Sequence, residues 1–247
     1  MSRLLEIWPG VMAHASGGLW LESSRTLALA DLHLGYGWAQ RRRGELGPLA
    51  DAETRTKLLF VLDELSPSKV LLVGDIVHAP KPGKEEFAFV ESLLSVVTQR
   101  TELVAIRGNH DRQFARDFDR LGIVLVEEWR DGSLTVTHGD HLPNLLSLGE
   151  RLVIGHLHPA IALEDPAGVK RRIPAFFVSG PVVVLPAFSP FAAGVDIWRS
   201  MPVEIARLNG GAIPEAIAAT GARVVKLGSL NRLVSPTRGS RPSDFRV

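Results

Sequence analysis

The sequence contains no cysteine among its 247 residues. That absence excludes disulfide bonds, thiolate metal ligands and a cysteine nucleophile, and it suits a reducing compartment. We therefore expect a cytoplasmic location. An excess of charge of one sign is also missing, because 28 Lys and Arg residues stand against 27 Asp and Glu residues. With a net charge of +1, no overall field attracts or repels nucleic acid.

Segments suited to a membrane are absent as well. The N-terminus has only short apolar runs and lacks the long apolar core of a signal peptide. Residues 173–195 carry no charge, but they include four prolines, and a lipid-exposed helix could not keep its backbone hydrogen-bonded through them. We interpret this stretch as short buried strands joined by turns and expect no contact with a membrane.

The composition is that of an ordinary globular protein, with 45% apolar and 22% charged residues. The length fits one α/β unit, and we predict a single domain over residues 1–234. Residues 235–247 are polar, contain two prolines and have no periodic apolar face. For this segment we predict a flexible C-terminal tail.

Short apolar runs that end abruptly in polar residues dominate the chain. Runs of this length fit strands buried on both faces, and they lie at 26–30, 69–73, 103–106, 134–137 and 152–154. Helical spacing of apolar residues at 52–65 and 84–98 separates the early strands, which predicts a largely parallel sheet in the first half. After residue 133 the strands follow more closely, which predicts a more antiparallel half. We also predict a helix at 213–220 and a strand at 222–227.

Polar side chains gather just after these strands, where sites of open α/β sheets usually lie. They include five of the eight histidines and consist of Asp31, His33, Asp75, Asn109, His110, Asp111, His138, His156 and His158. Imidazole, carboxylate and amide oxygen without sulfur suit Mn, Fe, Zn or Co. Without His110 and Asp111, seven candidate ligands remain; they exceed the need of one ion, whereas two ions sharing a carboxylate would use them all. Such a pair clamps the attacking and leaving oxygens of a displacement at phosphorus.

Each short motif also has a simpler interpretation. Gly-Asp after an apolar strand is commonly a turn with a capping carboxylate, and Asp-x-His alone is a weak signal. Gly108-Asn109-His110-Asp111 is more specific, because turn chemistry requires neither the histidine nor the aspartate. The occurrence of all five motifs in order, each after a strand, favours a metal site.

These five motifs resemble those of the calcineurin-like metallophosphoesterases. They are Asp31-x-His33, Gly74-Asp75, Gly108-Asn109-His110-Asp111, His138-Gly139 and Gly155-His156-x-His158. The resemblance implies an α/β fold, a four-layer sandwich of two mixed β-sheets flanked by helices. It implies a hydrolase of phosphoester bonds that holds two divalent metal ions. We expect Mn²⁺, with Fe, Zn, Co and Mg as alternatives.

Further motifs are similar to one branch of that family, the bacterial DNA-ligase-associated (PdeM-like) phosphoesterases. They are Arg41-Arg42-Arg43-Gly44, the histidine in Gly74-Asp75-Ile76-Val77-His78, His158-Pro159 and Leu185-Pro186-Ala187-Phe188. This resemblance implies a nuclease linked to DNA repair, with single-stranded or damaged DNA as its substrate and a functional link to a DNA ligase or helicase. Assembly into a homo-oligomer is left open.

The family pattern also implies the roles of the site residues. One metal would be held by Asp31, His33, Asp75 and His158, and the other by Asp75, Asn109, His138 and His156, so that Asp75 bridges them. His110 would protonate the leaving alkoxide, with Asp111 holding its ring.

Contacts with the substrate are a separate hypothesis. Arg41, Arg42 and Arg43 could bind phosphate bidentately or could form a solvated charge run. His78 could contact substrate or cap a helix, and His141 could support a neighbouring ligand. His14 lies outside every motif and is assigned a structural role. Two other functions share the same motifs: a phosphatase or pyrophosphatase acting on a nucleotide or another small phosphoester, and an inactive metal-binding scaffold.

Overall fold

A computed structural model describes residues 2–45, 50–111, 114–164, 168–192, 194–196 and 203–229, and the predicted tail at 235–247 lies outside them. The strands are β1 (Leu4–Trp8), β2 (Val11–His14), β3 (Leu19–Leu21), β4 (Thr26–Ala30), β5 (Lys69–Val73), β6 (Glu102–Ile106), β7 (Val124–Val126), β8 (Glu128–Asp131), β9 (Leu134–Thr137), β10 (Arg151–Ile154), β11 (Pro159–Glu164), β12 (Lys170–Ser179), β13 (Val182–Val184), β14 (Val195–Asp196), β15 (Glu215–Ala219) and β16 (Val224–Ser229). The helices are α1 (Tyr36–Arg42), α2 (Ala50–Leu65), α3 (Lys84–Thr98), α4 (Ala115–Arg120) and α5 (Val203–Leu208).

The first sheet contains β1 to β7 in chain order. Strands β1 to β4 pair antiparallel, and β4 to β7 pair parallel. The change of direction follows from the connections, because short turns join the early strands whereas α2 and α3 carry the chain back before β5 and β6. The parallel pairing predicted for the first half is therefore confirmed for β4 to β7, whereas β1 to β4 pair antiparallel.

The second sheet has the order β14-β11-β12-β13-β10-β9-β8, and β15 and β16 extend it from β12. Strand β10 is parallel to both β9 and β13, and β11 is parallel to β14. The remaining pairs are antiparallel, as predicted for the second half. The charge-free stretch at 173–195 contains short strands, as expected.

Alternating side chains build the four layers. In β4, Leu27 and Leu29 pack among helical residues, whereas Ala28 and Ala30 face the core between the two sheets. In β10, Leu152 and Ile154 pack on the outer side with residues of α5. Each fully buried leucine contributes about 1.5–3 kcal/mol relative to an exposed one. Two mixed sheets with flanking helices confirm the predicted fold class.

One predicted element is wrong. Residues 213–220 were expected to be helical, but they contain strand β15, which pairs with β12 and β16. Its sequence, EAIAA, has buried residues on both faces, so pairing between two strands outweighs the helix propensity of alanine. The strand predicted at 222–227 is confirmed by β16. Among the described residues, no helix is both long and apolar enough to cross a membrane.

Candidate metal centre

The predicted ligands meet where the carboxyl ends of the two sheets come together. Strands β4, β5 and β6 lie side by side and end just before Asp31, Asp75 and Asn109. In the other sheet, β9 and β10 are parallel neighbours that end just before His138 and His156. Ala30 bridges to Ala187 between the sheets. The topology therefore brings side chains from five strand ends into one place.

The backbone of this region is strained at the ligand positions themselves. Seven described residues other than glycine have a positive φ, and five of them are predicted metal ligands: Asp31 (55°), His33 (46°), Asp75 (45°), His156 (66°) and His158 (45°). The left-handed conformation costs a residue with a Cβ roughly 1–2 kcal/mol. Such strain persists where the surrounding structure enforces it, and it concentrates at functional sites.

Two motif glycines allow the strand ends to approach. A Cβ at Gly74, where φ is +69°, would lie 2.1 Å from Nδ1 of His138. A Cβ at Gly108 would lie 2.2 Å from the backbone nitrogen of Asp75. Because neither position has room for a side chain, glycine is required for Asp75 and His138 to face each other.

The first cluster of ligand atoms comprises Asp31, His33 and His158, whose nitrogen and oxygen atoms lie within 4.8 Å of one another. Nε2 of His158 lies 3.2 Å from Oδ1 of Asp31 and 3.4 Å from Nε2 of His33. Burial, assisted by the neighbouring histidines, lowers the pKa of His33 to about 2, so its ring is neutral and able to bind a metal. Burial also acts to lower the pKa of His158, but the carboxylate of Asp31 outweighs it and raises that pKa. Asp31 therefore attracts positive charge to this cluster.

The second cluster comprises Asp75, His138 and His156. Nδ1 of His138 lies 3.3 Å from the carbonyl oxygen of Val73 and donates to it, which leaves Nε2 as an acceptor. That Nε2 lies 3.1 Å from Oδ1 of Asn109 and 3.4 Å from Oδ1 of Asp75. In the neutral ring this nitrogen and the two oxygens are all acceptors, an arrangement that a cation among them would stabilise. Burial lowers the pKa of His156, which keeps this ring neutral as a metal ligand must be.

Asp75 belongs to the second cluster and acts on the first through its charge. Its Oδ1 faces His138 in the second cluster and also accepts the backbone N–H of His110 at 3.0 Å. Its negative charge contributes to the raised pKa of His158 in the first cluster. The bridging role that the family pattern implies for Asp75 stays a prediction.

His110 lies beside Asp75 with its Nε2 3.9 Å from Oδ2 of that carboxylate. Its Nδ1 donates to the carbonyl oxygen of His78 at 2.7 Å. This differs from the prediction that Asp111 would hold the ring. Both oxygens of Asp111 instead accept backbone N–H groups, from Ile76 and Val77 at 3.0 and 3.1 Å and from Gly108 at 3.0 Å.

Asp111 is fully buried, and burial raises its pKa to about 6 despite these bonds. In the sequence motif the Asp111 carboxylate directly follows His110. In the fold this side chain points away from the imidazole and towards backbone N–H groups. Asp111 therefore joins the loop after β5 to the loop after β6, and it supports Asp75 and Asn109 rather than the imidazole.

Of the residues predicted to contact substrate, some lie near the metal centre and others do not. The His78 ring lies 5.6 Å from the His33 ring and 6.1 Å from the His110 ring, measured between centroids. Arg43 is close enough to contribute to the lowered pKa of His78, whose main cause is burial. Arg42 is engaged by the buried carboxylate of Glu86 at 2.9 Å.

Arg41 stacks over the Trp38 ring at 5.1 Å. His141 is 84% exposed and lies outside the clusters of close ligand atoms found in the described part of the chain. His14 precedes all of these motifs in the sequence. Its side chain is buried, and its Nδ1 lies 2.8 Å from the Ser16 hydroxyl.

Sequence reasoning missed two features beside the centre. The Tyr36 ring lies 4.9 Å from the His78 ring, and the Phe191 ring lies 6.3 Å from Tyr36. Tyr36 is the only tyrosine in the chain and follows His33 by three residues, a signal that could have identified it. A cavity of about 280 Å³ adjoins His156, and Arg207 of α5 lines it. No sequence pattern links Arg207 to the centre.

The fold is an α/β sandwich of two mixed sheets, and its strand-end clusters of carboxylate and imidazole could hold metal ions, as the centres of metal-dependent hydrolases do. The family model of the calcineurin-like phosphoesterases matches residues 24–194, and the chain belongs to this family. It is therefore a hydrolase that acts on phosphoester bonds, and its family uses divalent metal ions.

Two solved structures are similar to this one. The nuclease MPE of Pseudomonas putida is 23% identical over 92% of this chain and 100% of its own, with a TM-score of 0.69. The E. coli phosphoesterase Yfce is 17% identical over 78% of this chain and 86% of its own, with a TM-score of 0.41. Among curated proteins, none has significant sequence similarity to the chain.

Proposed function

We propose that this protein hydrolyses phosphodiester bonds with two divalent metal ions and acts on DNA as a nuclease in repair. The observation that carries the proposal is that two of the three groups of close ligand atoms lie side by side, with Nδ1 of His138 in one group 3.9 Å from Oδ1 of Asp31 in the other. A pair of metal ions suits in-line displacement at phosphorus because it can stabilise both the attacking and the leaving oxygen.

The residues present fit such ions. Nε2 of His158 lies 3.2 Å from Oδ1 of Asp31 and 3.4 Å from Nε2 of His33, so three atoms able to bind a metal converge on one point. One ion would be held by Asp31, His33, Asp75 and His158, and the other by Asp75, Asn109, His138 and His156. Nitrogen and oxygen ligands suit Mn²⁺, which we propose, and also Fe, Zn, Co and Mg. When bound, the ions would lower the pKa of a water molecule and neutralise charge on the phosphate.

The chain itself supplies the proton for the leaving group. Because Nδ1 of His110 donates to the His78 carbonyl, Nε2 is the nitrogen left to face the reacting phosphate. The side chain is 34% exposed, so substrate can reach it. We assign His110 as the general acid and Asp111 as a positioning residue that holds the loops of Asp75 and Asn109 together.

Two observations favour a polynucleotide over a small phosphoester. Helix α1 and its C-terminal residue carry Arg41, Arg42 and Arg43, and the charge of Arg43 reaches His78 at the centre. The structure with the TM-score of 0.69 is that of a nuclease. A cytoplasmic location, single-stranded or damaged DNA as substrate, and a functional link to a DNA ligase or helicase belong to the same proposal.

The test compares bis(p-nitrophenyl) phosphate with p-nitrophenyl phosphate, first in EDTA and then with added Mn²⁺. Activity that requires Mn²⁺ and favours the diester supports the proposal and leads to DNA substrates. A preference for the monoester would assign the phosphatase or pyrophosphatase function instead. Bound metal without activity on either compound would favour the inactive scaffold.

A further inference from the structure

A row of rings extends from the metal centre to the protein surface. It begins at His33, continues to His78 at 5.6 Å and to Tyr36 at a further 4.9 Å, and ends at Phe191, 6.3 Å beyond. The Tyr36 and Phe191 rings are nearly parallel, with 17° between their planes. Both residues are half-buried, so part of each ring remains accessible.

The position of Tyr36 is held by its own helix. Its hydroxyl oxygen accepts a hydrogen bond from Nε2 of Gln40 at 2.9 Å. The start of α1 is anchored by the buried carboxylate of Asp51, which accepts the N–H groups of Gly35 at 2.7 Å and Gly37 at 3.1 Å. A ring held in this way loses little conformational entropy when a flat group binds against it.

The same helix adds positive charge. Arg41 and Arg42 lie in its last turn, and Arg43 follows directly. Proteins that bind single-stranded nucleic acid combine aromatic rings, which stack on bases, with basic side chains, which neutralise phosphates. Bases inside a duplex are paired and stacked on one another, so they cannot reach such a ring without being flipped out.

We propose that Tyr36 and Phe191 form a stacking site for an unpaired base of the substrate strand, next to the phosphate held at the metal centre. This inference rests on the proposed function and adds the place where an unpaired base of the substrate strand binds. His78 separates the stacking site from His33, so the stacked base belongs to a nucleotide close to the one being cleaved.

The test measures binding without cleavage. Fluorescein-labelled oligo(dT) of about 12 nucleotides, within the usual range of site sizes, is titrated with the full chain in EDTA at low salt. An oligomer of equal length and charge that lacks all bases is titrated in parallel. Wild-type protein should bind oligo(dT) about 5- to 150-fold more tightly, because stacking of one base contributes roughly 1–3 kcal/mol.

The variants assign that difference to the rings. Tyr36→Ala and Phe191→Ala should lower affinity for oligo(dT) and leave affinity for the abasic oligomer unchanged, whereas Tyr36→Phe should restore the wild-type difference. Phe60→Ala is the matched control, because Phe60 is an exposed aromatic residue on α2 beside Arg3. It should change neither affinity.

Three outcomes would overturn the stacking site. They are equal wild-type affinity for the two oligomers, no binding of either, and an equal loss for both in Tyr36→Ala. Failure of the proposed function would appear elsewhere, as absent or monoester-selective hydrolysis in the chromogenic assay, because binding in EDTA does not depend on turnover.

Discussion

Oδ1 of Asp75 lies 3.4 Å from Nε2 of His138. The opposite nitrogen of this imidazole donates to the carbonyl oxygen of Val73, so in the neutral ring the atom that faces Asp75 is an acceptor. Both residues are buried, which strengthens the repulsion between a carboxylate oxygen and a nitrogen lone pair. A divalent cation between them would convert this repulsion into two coordinate bonds.

Asp75→Asn should therefore lose both metal ions and the activity, because the amide lacks the negative charge that both ligand clusters share. Metal content per chain, determined by mass spectrometry of the purified protein, and diester hydrolysis in Mn²⁺ are the measurements. Asp63→Asn is the matched control, since Asp63 is 70% exposed and pairs with Arg100 at the surface. Two ions per chain in Asp75→Asn would contradict the ligand assignment.

His110→Ala should keep its metal and lose turnover selectively. A general acid contributes about 10²–10⁴-fold, and it matters most when the leaving alkoxide is strongly basic. We expect a large loss of kcat on alkyl phosphodiesters and a smaller loss on the p-nitrophenyl diester. His141→Ala, at an exposed histidine, should behave as wild type. Wild-type rates of His110→Ala on alkyl substrates would contradict the acid role.

Asp111→Ala should destabilise the fold, because three buried backbone N–H groups lose their acceptor. Each unsatisfied group costs about 1–3 kcal/mol, and Asp111→Asn should cost less because it keeps one oxygen. Urea unfolding measures the free energy of unfolding of both variants. Asp131→Ala, at an exposed residue of strand β8, is the control. Unchanged stability with lost turnover would instead favour a role for Asp111 in catalysis.

Lys57 should make stability depend on pH. Its Nζ donates to the carbonyl oxygen of Phe188 at 2.8 Å, and burial lowers its pKa from 10.5 to about 8. Between these values the unfolded chain binds more protons than the folded chain, so this group increases the free energy of unfolding as pH rises from 8 to 10.5.

Urea unfolding at pH 7.5 and pH 10 compares wild type with Lys57→Met. The free energy of unfolding of wild type minus that of Lys57→Met should be larger at pH 10 than at pH 7.5. For Lys84→Met, at an exposed lysine, the same difference should not change with pH. A difference between wild type and Lys57→Met that is the same at both pH values would show that the lysine is not desolvated.

Local patterns were sufficient for much of the fold. Strands β4 and β5 and helix α3 lie where apolar runs and helical spacing predicted them, because a buried element needs an apolar sequence whatever its partners are. Strand β15 could not be predicted in this way. Its alanines favour a helix locally, and only pairing with β12 and β16 makes it a strand.

By itself, the sequence determined the chemistry of the centre: which ligand types it has, that each follows a strand, and that sulfur is absent. The tertiary structure decided which atoms face each other. Hydrogen bonds between distant segments direct Asp111 to the backbone and His110 to the His78 carbonyl. They depend on how two sheets and their loops pack, as does the placement of Tyr36 beside Phe191, and no local pattern of residues encodes such packing.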